Sequence, residues 1–94
     1  MRELVLTPKF KRAFRKFTKR SAKLQQQIEN TLIEMETDVF ASALGTHKLS
    51  GNLYGLWACS CGYDCRIVFS IESGESGEKE VIVLLDIGSH DEVY

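Results

Sequence analysis

The sequence contains few of the features that would place it outside the ordinary globular class. Proline occurs once and no residue type forms a biased tract, which argues against a disordered chain. No apolar run approaches the ~18 residues of a transmembrane helix. The first residues, Met1-Arg2-Glu3-Leu4, are charged and lack the apolar stretch of a signal peptide. We therefore expect a cytoplasmic protein without a membrane partner, whose 94 residues form a single domain, 1–94.

Cysteine is scarce as well, but its three copies, Cys59, Cys61 and Cys65, lie close together. An odd number of cysteines in a reducing compartment argues against a disulfide framework. The spacing resembles a metal cluster only superficially, because structural zinc needs four ligands and no fourth is nearby in the sequence. We expect these cysteines to be ordinary small residues at a turn, and we expect no metal ion.

Net charge is only −1, yet the charges are distributed unevenly. Residues 1–24 hold nine of the twelve Lys and Arg residues and one acid, which gives +8, whereas the remainder of the chain carries −9. Two interpretations stay open. The basic segment is a surface that meets phosphate or an acidic protein, or it is a solvated helix face balanced by acids elsewhere.

The first half of the chain predicts one strand and two helices. Residues 2–7 are rich in β-formers, and Thr7-Pro8 is typical of a helix N-cap followed by proline at the first helical position. Helical spacing gives one apolar stripe, formed by Phe10, Ala13, Phe14 and Phe17. The opposite side is basic, with Lys9, Arg12, Lys16, Lys19 and Arg20. Ser21 then caps a second helix that runs to about Thr37 and completes a helical hairpin. Its buried stripe consists of Leu24, Ile28, Leu32 and Met35.

The second half of the chain predicts a loop at 38–52 and then three strands, 53–60, 65–71 and 81–87, with turns at 61–62 and 73–77. The last strand is apolar on both faces and should be interior. Short connections favour an antiparallel meander. The order β-α-α-β-β-β defines the α+β class, with the helical hairpin packed on one face of an antiparallel sheet and the other face open. The position of the first strand in the sheet is left undetermined.

Polar residues on two neighbouring strands point to a possible site on the open face. Alternation places Asp64 and Arg66 on the face opposite the core positions Cys65, Ile67, Phe69 and Ile71. An exposed ion pair is the simpler interpretation of Asp64 and Arg66. The last strand ends at Gly88 and is followed by His90 and, four residues later, Tyr94, which share one side if the tail is helical. A frayed terminus is the simpler alternative.

Three other residues are ambiguous by themselves. His47 lies in the loop that enters the sheet and would, alone, be a surface histidine. Tyr54 and Trp57 are expected to pack on the sheet, because at least two aromatic side chains on the open face would be needed for a base-stacking surface.

Three segments, taken together, resemble the RelE/ParE toxin superfamily, and specifically its RelE-like and YafQ-like RNase branch. They are His47-Lys48-Leu49-Ser50-Gly51, then Tyr63-Asp64-Cys65-Arg66-Ile67-Val68-Phe69-Ser70-Ile71, and the terminal Gly88-Ser89-His90-Asp91-Glu92-Val93-Tyr94. The family's element order is also β-α-α-β-β-β, so the resemblance covers nearly the whole chain. It implies the toxin of a type II toxin–antitoxin system, held in check by a cognate antitoxin protein.

The resemblance also implies a chemistry, which is cleavage of mRNA, on the ribosome or free, without a metal or other cofactor. The 2′-hydroxyl attacks the adjacent phosphate, so a base, an acid and a phosphate-binding group are required. Carried over by motif, His47 and His90 are the acid and base in undetermined order, and Arg66 binds the phosphate. Asp64 orients a histidine or holds Arg66, and Tyr94 contacts a base of the RNA. Expected RNA contacts are Lys48, Arg12, Lys16 and Arg20, although a surface lysine that serves solubility is the simpler interpretation of Lys48.

One departure from the family pattern is the slightly acidic net charge, because members are commonly basic. Long-range attraction to RNA is then confined to the basic helix. Two alternatives share the fold: a ParE-like toxin that inhibits DNA gyrase and cleaves nothing, and a decayed toxin that only binds its antitoxin. A pure binding module has no chemical need for the two histidines and the terminal tyrosine, which favours the RNase.

Overall fold

The computed structural model describes residues 2–73 and 80–94. Strand β1 spans Glu3–Leu6, helix α1 spans Pro8–Thr18 and helix α2 spans Ala22–Thr37. They are followed by β2 (His47–Lys48), β3 (Trp57–Gly62), β4 (Cys65–Ser73), β5 (Glu80–Gly88) and the terminal helix α3 (His90–Val93). Two short 3-10 turns, Ser42–Leu44 and Gly51–Leu53, flank β2. The predicted turn at 73–77 lies, beyond Ser73, outside the described residues.

Both predicted helix starts are confirmed. The Thr7 side chain accepts a hydrogen bond from the Phe10 N–H, and Pro8 follows at a position where its missing N–H costs nothing. Ser21 caps α2 in the same way, by accepting from the Leu24 N–H, and α2 ends at Thr37 as predicted. No described helix has the length and apolar character needed to cross a bilayer.

The described strands form one sheet in the order β1-β5-β4-β3-β2. Strands β3, β4 and β5 pair antiparallel, as the meander predicts, and β5 is interior. Strand β2, which lies in the predicted loop, also pairs antiparallel with β3. Strand β1, whose place the sequence left undetermined, pairs in parallel with β5, so the sheet is mixed at this edge. The α+β class with segregated helices is confirmed.

The prediction of a strand over 53–60 is wrong at its start. The residues before Trp57 form a 3-10 turn and a bend in which Gly51 has φ +65° and Gly55 has φ +93°. Both values lie in the left-handed region, which interrupts an extended strand and favours glycine. The preceding loop also contains the short strand β2, where His47 pairs with Ala58 of β3.

One face of the sheet carries the core. The helices bury their predicted apolar stripes against β3, β4 and β5, and Ile71 and the other core positions of β4 lie on this face as alternation predicts. A β-bulge between Val68 and Phe69 shifts the register of β4 on β5, and both of these residues are buried. The core includes Phe10, Ile28, Met35, Cys59, Ile67, Phe69, Ile82 and Leu84.

The expectation of unpaired cysteines is wrong, because Cys61 and Cys65 form a disulfide. Their Cα atoms are 5.0 Å apart, within the range a disulfide spans. A bulge between Ser60 and Gly62 and positive φ values at Gly62 and Asp64 tighten the turn. Strand alternation alone does not reveal this turn geometry. Cys59 is free and buried.

Candidate functional site

The candidate site lies at one end of the sheet, on the face away from the helical hairpin. Arg66 is paired with Ser60 of β3 on one side and with Gly88 of β5 on the other. Strand β5 ends at Gly88, and α3 starts two residues later at His90. The chain therefore brings its terminal helix directly beside the strand that carries Arg66, as the sequence predicted.

Arg66 is half-buried and folds back onto the turn before it. Its Nη1 donates hydrogen bonds to the carbonyl oxygens of Gly62 at 3.2 Å and Cys65 at 2.8 Å. The Nε and Nη2 atoms of Arg66 have no hydrogen-bond acceptor among residues 2–73 and 80–94. A guanidinium presents five N–H donors in a fixed plane. The group is thus oriented by backbone while part of its fork stays available for an anion.

Asp64 lies in the turn before β4 rather than on the strand, with φ +51°. Its carboxylate oxygen Oδ1 accepts a hydrogen bond from the His90 backbone N–H at 3.0 Å. The first amides of a helix have no partner within the helix, so a carboxylate at this point stabilises α3. Asp64 therefore positions His90 through the backbone, and the described residues contain no Asp64–Arg66 ion pair.

The terminal helix is short but well capped. The Ser89 hydroxyl accepts from the Glu92 N–H, and the Glu92 carboxylate accepts from the Ser89 N–H at 2.9 Å, which is a complete capping box. Hydrogen bonds from the Ser89 backbone and then its side chain lower the pKa of Glu92, and the positive charge of Lys16 adds to this. The tail is thus a defined helical turn.

His90, the first residue of α3, and Tyr94, directly after its end, share one side of this helical turn, as predicted. Their ring centroids are 4.7 Å apart with the planes nearly perpendicular. The His90 Nδ1 atom lies 3.3 Å from the Asp91 carboxylate, and most of its side chain is exposed. Burial raises the pKa of Tyr94 above its usual value, and the positive charge of Arg66 partly opposes that rise. The phenol is therefore protonated near neutral pH, and Arg66 is near enough to act on it electrostatically.

His47 faces the same site from the edge strand β2. Its Nδ1 atom lies 3.0 Å from the Gly45 carbonyl oxygen, which can only accept. His47 and Tyr94 both line one open cleft of about 310 Å³. The other lining residues are Leu49, Ser50, Asn52 and Leu53. Through Tyr94 the cleft connects His47 with the ring of His90.

A second cavity of about 360 Å³ shares the lining residue Leu53 with this cleft. Val68, Leu85 and Val93 make it mostly apolar. An ion pair between Lys9 Nζ and the Asp86 carboxylate, 3.7 Å long, stands at its rim. Lys9, at the start of α1, thus reaches the open side of the sheet.

The structure separates the predicted RNA-contacting cations. Lys16 is exposed on α1 and close enough to α3 to act on Glu92 electrostatically. Arg12 is exposed on α1 and Arg20 is exposed in the turn after it, and neither contacts the site residues that the structure describes. Lys48 places its Nζ 5.4 Å from the centre of the Trp57 ring. Within the described residues no three His, Cys, Asp or Glu side chains cluster as metal ligands.

Sequence reasoning missed three features of this region. The disulfide had no clear signal, nor did the two carbonyl groups that orient Arg66. The Ser89-x-x-Glu92 capping box did have one, since this pattern marks helix starts. Trp57 packs against the core as expected, whereas the prediction for Tyr54 is wrong because its side chain is exposed.

Comparisons with known proteins show the family and the fold. The family model of the bacterial toxin of type II toxin-antitoxin system, YafQ, matches residues 2–94. The chain therefore belongs to the YafQ family of bacterial toxins, within the RelE/ParE-like superfamily. A search of curated proteins finds no match to this chain.

Solved structures share the fold at low sequence identity. YafQ from E. coli strain BL21(DE3) matches with a TM-score of 0.78 and 10% identity, over 100% of this chain and 99% of that one. A YoeB/ParE toxin from Agrobacterium tumefaciens matches with a TM-score of 0.74 and 17% identity, over 94% and 98%. The E. coli DinJ-YafQ toxin-antitoxin complex matches with a TM-score of 0.75 and 12% identity, over 99% and 97%.

Proposed function

We propose that this chain is a single-domain endoribonuclease toxin, 1–94, that cleaves mRNA by metal-independent attack of a 2′-hydroxyl on the adjacent phosphate. The observation that carries the proposal is the gathering of Arg66, His90 and Tyr94 beside the cleft that His47 lines. These side chains supply the three groups that the reaction needs, namely a base, an acid and a cation for the phosphate. The 2′-oxygen bonds to phosphorus, the 5′-oxygen departs, and a 2′,3′-cyclic phosphate remains.

The hydrogen bonds of the two histidines favour His47 as the base and His90 as the acid. Because the Gly45 carbonyl can only accept, the His47 Nδ1 carries the hydrogen of this contact, and Nε2 of the neutral ring is left with a free lone pair. That lone pair can accept the 2′-hydroxyl proton. His90 has a carboxylate, Asp91, beside its Nδ1, which can hold a protonated ring that donates to the leaving 5′-oxygen.

Arg66 and Tyr94 complete the proposed site. The free part of the Arg66 fork binds the non-bridging phosphate oxygens, whose charge grows in the pentacoordinate transition state. Tyr94 keeps its proton near neutral pH and donates to a base or a phosphate oxygen. Asp64 contributes by holding α3, and so His90, at its first amide.

The substrate is mRNA, bound by the toxin alone or on the ribosome in the cytoplasm. Lys16 and Lys48 lie beside the site and can contact flanking phosphates, whereas Arg12 on α1 and Arg20 in the turn after it can contact a larger RNA surface. The second proposed partner is an antitoxin protein. Its support is that related toxins have been solved in complexes, the E. coli DinJ-YafQ complex and the Staphylococcus aureus YoeB-YefM complex.

The test is expression of the toxin in bacteria, with growth, translation and mRNA integrity followed together. Wild-type protein should arrest growth and yield RNA fragments that end in 2′,3′-cyclic phosphate, and cleavage by purified toxin or toxin–ribosome mixtures should persist in excess chelator. His90→Ala and Arg66→Ala should abolish cleavage while the proteins stay folded. Gln25→Ala, on the exposed side of α2, is the matched control and should remain toxic.

Two outcomes would overturn the proposal. Full toxicity of His90→Ala or Arg66→Ala would show that the site is assigned wrongly. Growth arrest with intact mRNA and DNA broken at gyrase sites would instead identify a gyrase inhibitor.

A further inference from the structure

Tyr54 is an aromatic residue whose side chain the fold leaves exposed to solvent. It follows the 3-10 turn Gly51–Leu53, and 85% of its surface is accessible to solvent. An aromatic ring left in water forgoes the stabilisation that burial would give it. The adjacent Trp57 is half-buried and packs against the core, so the two aromatic residues differ sharply although they are close in sequence.

Tyr54 and Trp57 line one cavity of about 330 Å³ at the edge of the sheet, called here the Tyr54 cavity. The remaining lining residues are Lys48, Leu49, Gly55 and Leu56. The lining thus combines two aromatic side chains and one cation, and it contains no acidic side chain. Aromatic faces beside a cation are the combination by which proteins bind single-stranded nucleic acids.

The Trp57 wall of the cavity is held in place before any ligand arrives. The Phe40 and Trp57 rings pack edge to face, with their centroids 5.3 Å apart and an interplanar angle of 69°. Lys48 Nζ lies 5.4 Å from the centre of the Trp57 ring. Binding to such a surface requires little ordering of side chains, which lowers the entropic cost of association.

The Tyr54 cavity adjoins the candidate site. His47, which lines the cleft with Tyr94, and Lys48, which lines the Tyr54 cavity, are consecutive residues of the edge strand β2, so their side chains point to opposite faces of the sheet. Leu49 lines both cavities. An RNA strand with its phosphate at His47 therefore reaches Tyr54 by passing around the edge of the sheet at Leu49.

We infer that the Tyr54 cavity is a subsite for an unpaired nucleobase flanking the scissile phosphate. The base stacks on the Tyr54 and Trp57 rings, and Lys48 contacts the phosphate of the same nucleotide. Because stacking accepts any base, the subsite selects single-stranded RNA over duplex and contributes little sequence preference. This inference rests on the proposed function, since it assumes that RNA is the substrate of the neighbouring cleft.

The chain provides its own probe, because Trp57 is its single tryptophan. An RNA oligonucleotide methylated at every 2′-oxygen cannot be cleaved by 2′-hydroxyl attack, so it reports binding alone. Titrating it into the intact protein should quench Trp57 fluorescence with a saturable curve. Tyr54→Ala should weaken binding about tenfold, within the range of one lost stacking contact, and Tyr54→Phe should retain it. Tyr63→Ala removes a fully exposed tyrosine that does not line the cavity and should bind as wild type.

The outcomes separate this inference from the proposed function. Absence of saturable quenching, or a Tyr54→Ala variant that binds the oligonucleotide like wild type, would overturn the subsite even if mRNA is cleaved. If Tyr54→Ala instead weakens only the binding of the purified antitoxin, the cavity serves a protein and the inference is wrong. Normal stacking without any cleavage of ordinary RNA would keep the subsite as an RNA-binding surface and remove the catalytic proposal.

Discussion

The Asp64 carboxylate accepts a hydrogen bond from the His90 backbone N–H at 3.0 Å, across 26 residues of sequence. Asp64 belongs to the tight turn between β3 and β4, and His90 is the first residue of α3. The same turn supplies both carbonyl groups that orient Arg66. One turn of the chain therefore positions two of the side chains to which we assign catalytic roles.

Replacing Asp64 tests whether the turn holds the terminal helix. Asp64→Ala removes the acceptor and places a residue with a Cβ but no compensating polar group at φ +51°, so we expect the free energy of unfolding to fall by about 1–2 kcal/mol. Hydrogen exchange of the His90 amide should accelerate. Asp64→Asn keeps an acceptor oxygen and tolerates the left-handed conformation, so it should remain close to wild type.

The two Asp64 variants also separate positioning from charge. If Asp64→Asn loosens α3 as much as Asp64→Ala does, the negative charge matters more than the hydrogen bond. If neither variant changes His90 exchange, α3 is held by its own capping box and the packing of Val93, and Asp64 has no positioning role.

The Cys61–Cys65 disulfide closes the same turn, and its reduction should measurably destabilise the protein. Closing so short a loop restricts the unfolded chain by an amount worth roughly 2 kcal/mol. The midpoint of urea unfolding of the wild-type protein should therefore shift to a lower urea concentration when a phosphine reductant is added. Because the turn orients Arg66, RNase activity should fall along with stability.

The matched control is the double variant Cys61→Ala/Cys65→Ala, in which the reductant should have no effect on the midpoint. If mass spectrometry shows that both thiols are free but the urea unfolding midpoint of the wild-type protein does not change, the disulfide has no stabilising role.

Hydrophobic periodicity in the sequence predicted the helices and strands that bury one face or both faces in the core. The apolar stripes of α1 and α2 and the apolar run of β5 had a single consistent interpretation, because each element buries one face or both. Local capping signals at Thr7 and Ser21 fixed the helix starts. The edges were less predictable. Strand β1 could join either side of the sheet, and the two-residue strand β2 is too short to produce a periodic signal.

The site was only partly predictable for a related reason. Motifs placed His90 and Tyr94 near Arg66, because a strand end and its neighbour in the sheet must be adjacent. The role of Asp64 depends on a positive φ and a bulge, which sequence patterns do not encode uniquely. Tyr54 was assigned to a strand that the glycines at 51 and 55 interrupt, and its exposure follows from that interruption.

The buried thiol of Cys59 should be chemically inert in the folded protein. Burial raises its pKa to about 12, against the opposing positive charge of Arg66, so almost no thiolate exists at pH 8. A maleimide reagent should therefore leave Cys59 unmodified in native protein and modify it quickly in urea. Labelling of native protein at the unfolded rate would show that Cys59 is accessible.

The same pKa shift has a consequence for stability. The thiol titrates near 9 when exposed and near 12 when folded, so the native state binds the proton more tightly. This contribution is fully present below pH 9 and is lost as pH rises from about 9 to 12. Replacing Cys59 with Ala should remove this part of the alkaline destabilisation, as measured by urea unfolding at pH 8 and pH 10.5.

Glu92 gives the opposite pH dependence. Hydrogen bonds from Ser89 lower its pKa, so the folded state favours the carboxylate, and its contribution to stability is present above the unfolded pKa near 4.5. It is lost as pH falls below that value through the lower pKa of the folded state. Glu92→Gln retains an oxygen acceptor for the Ser89 N–H but not the charge at the helix start. Wild type should therefore be more stable than Glu92→Gln at pH 7, and the difference should shrink at pH 3. A difference that stays constant between these two pH values would show that the Glu92 charge does not stabilise α3.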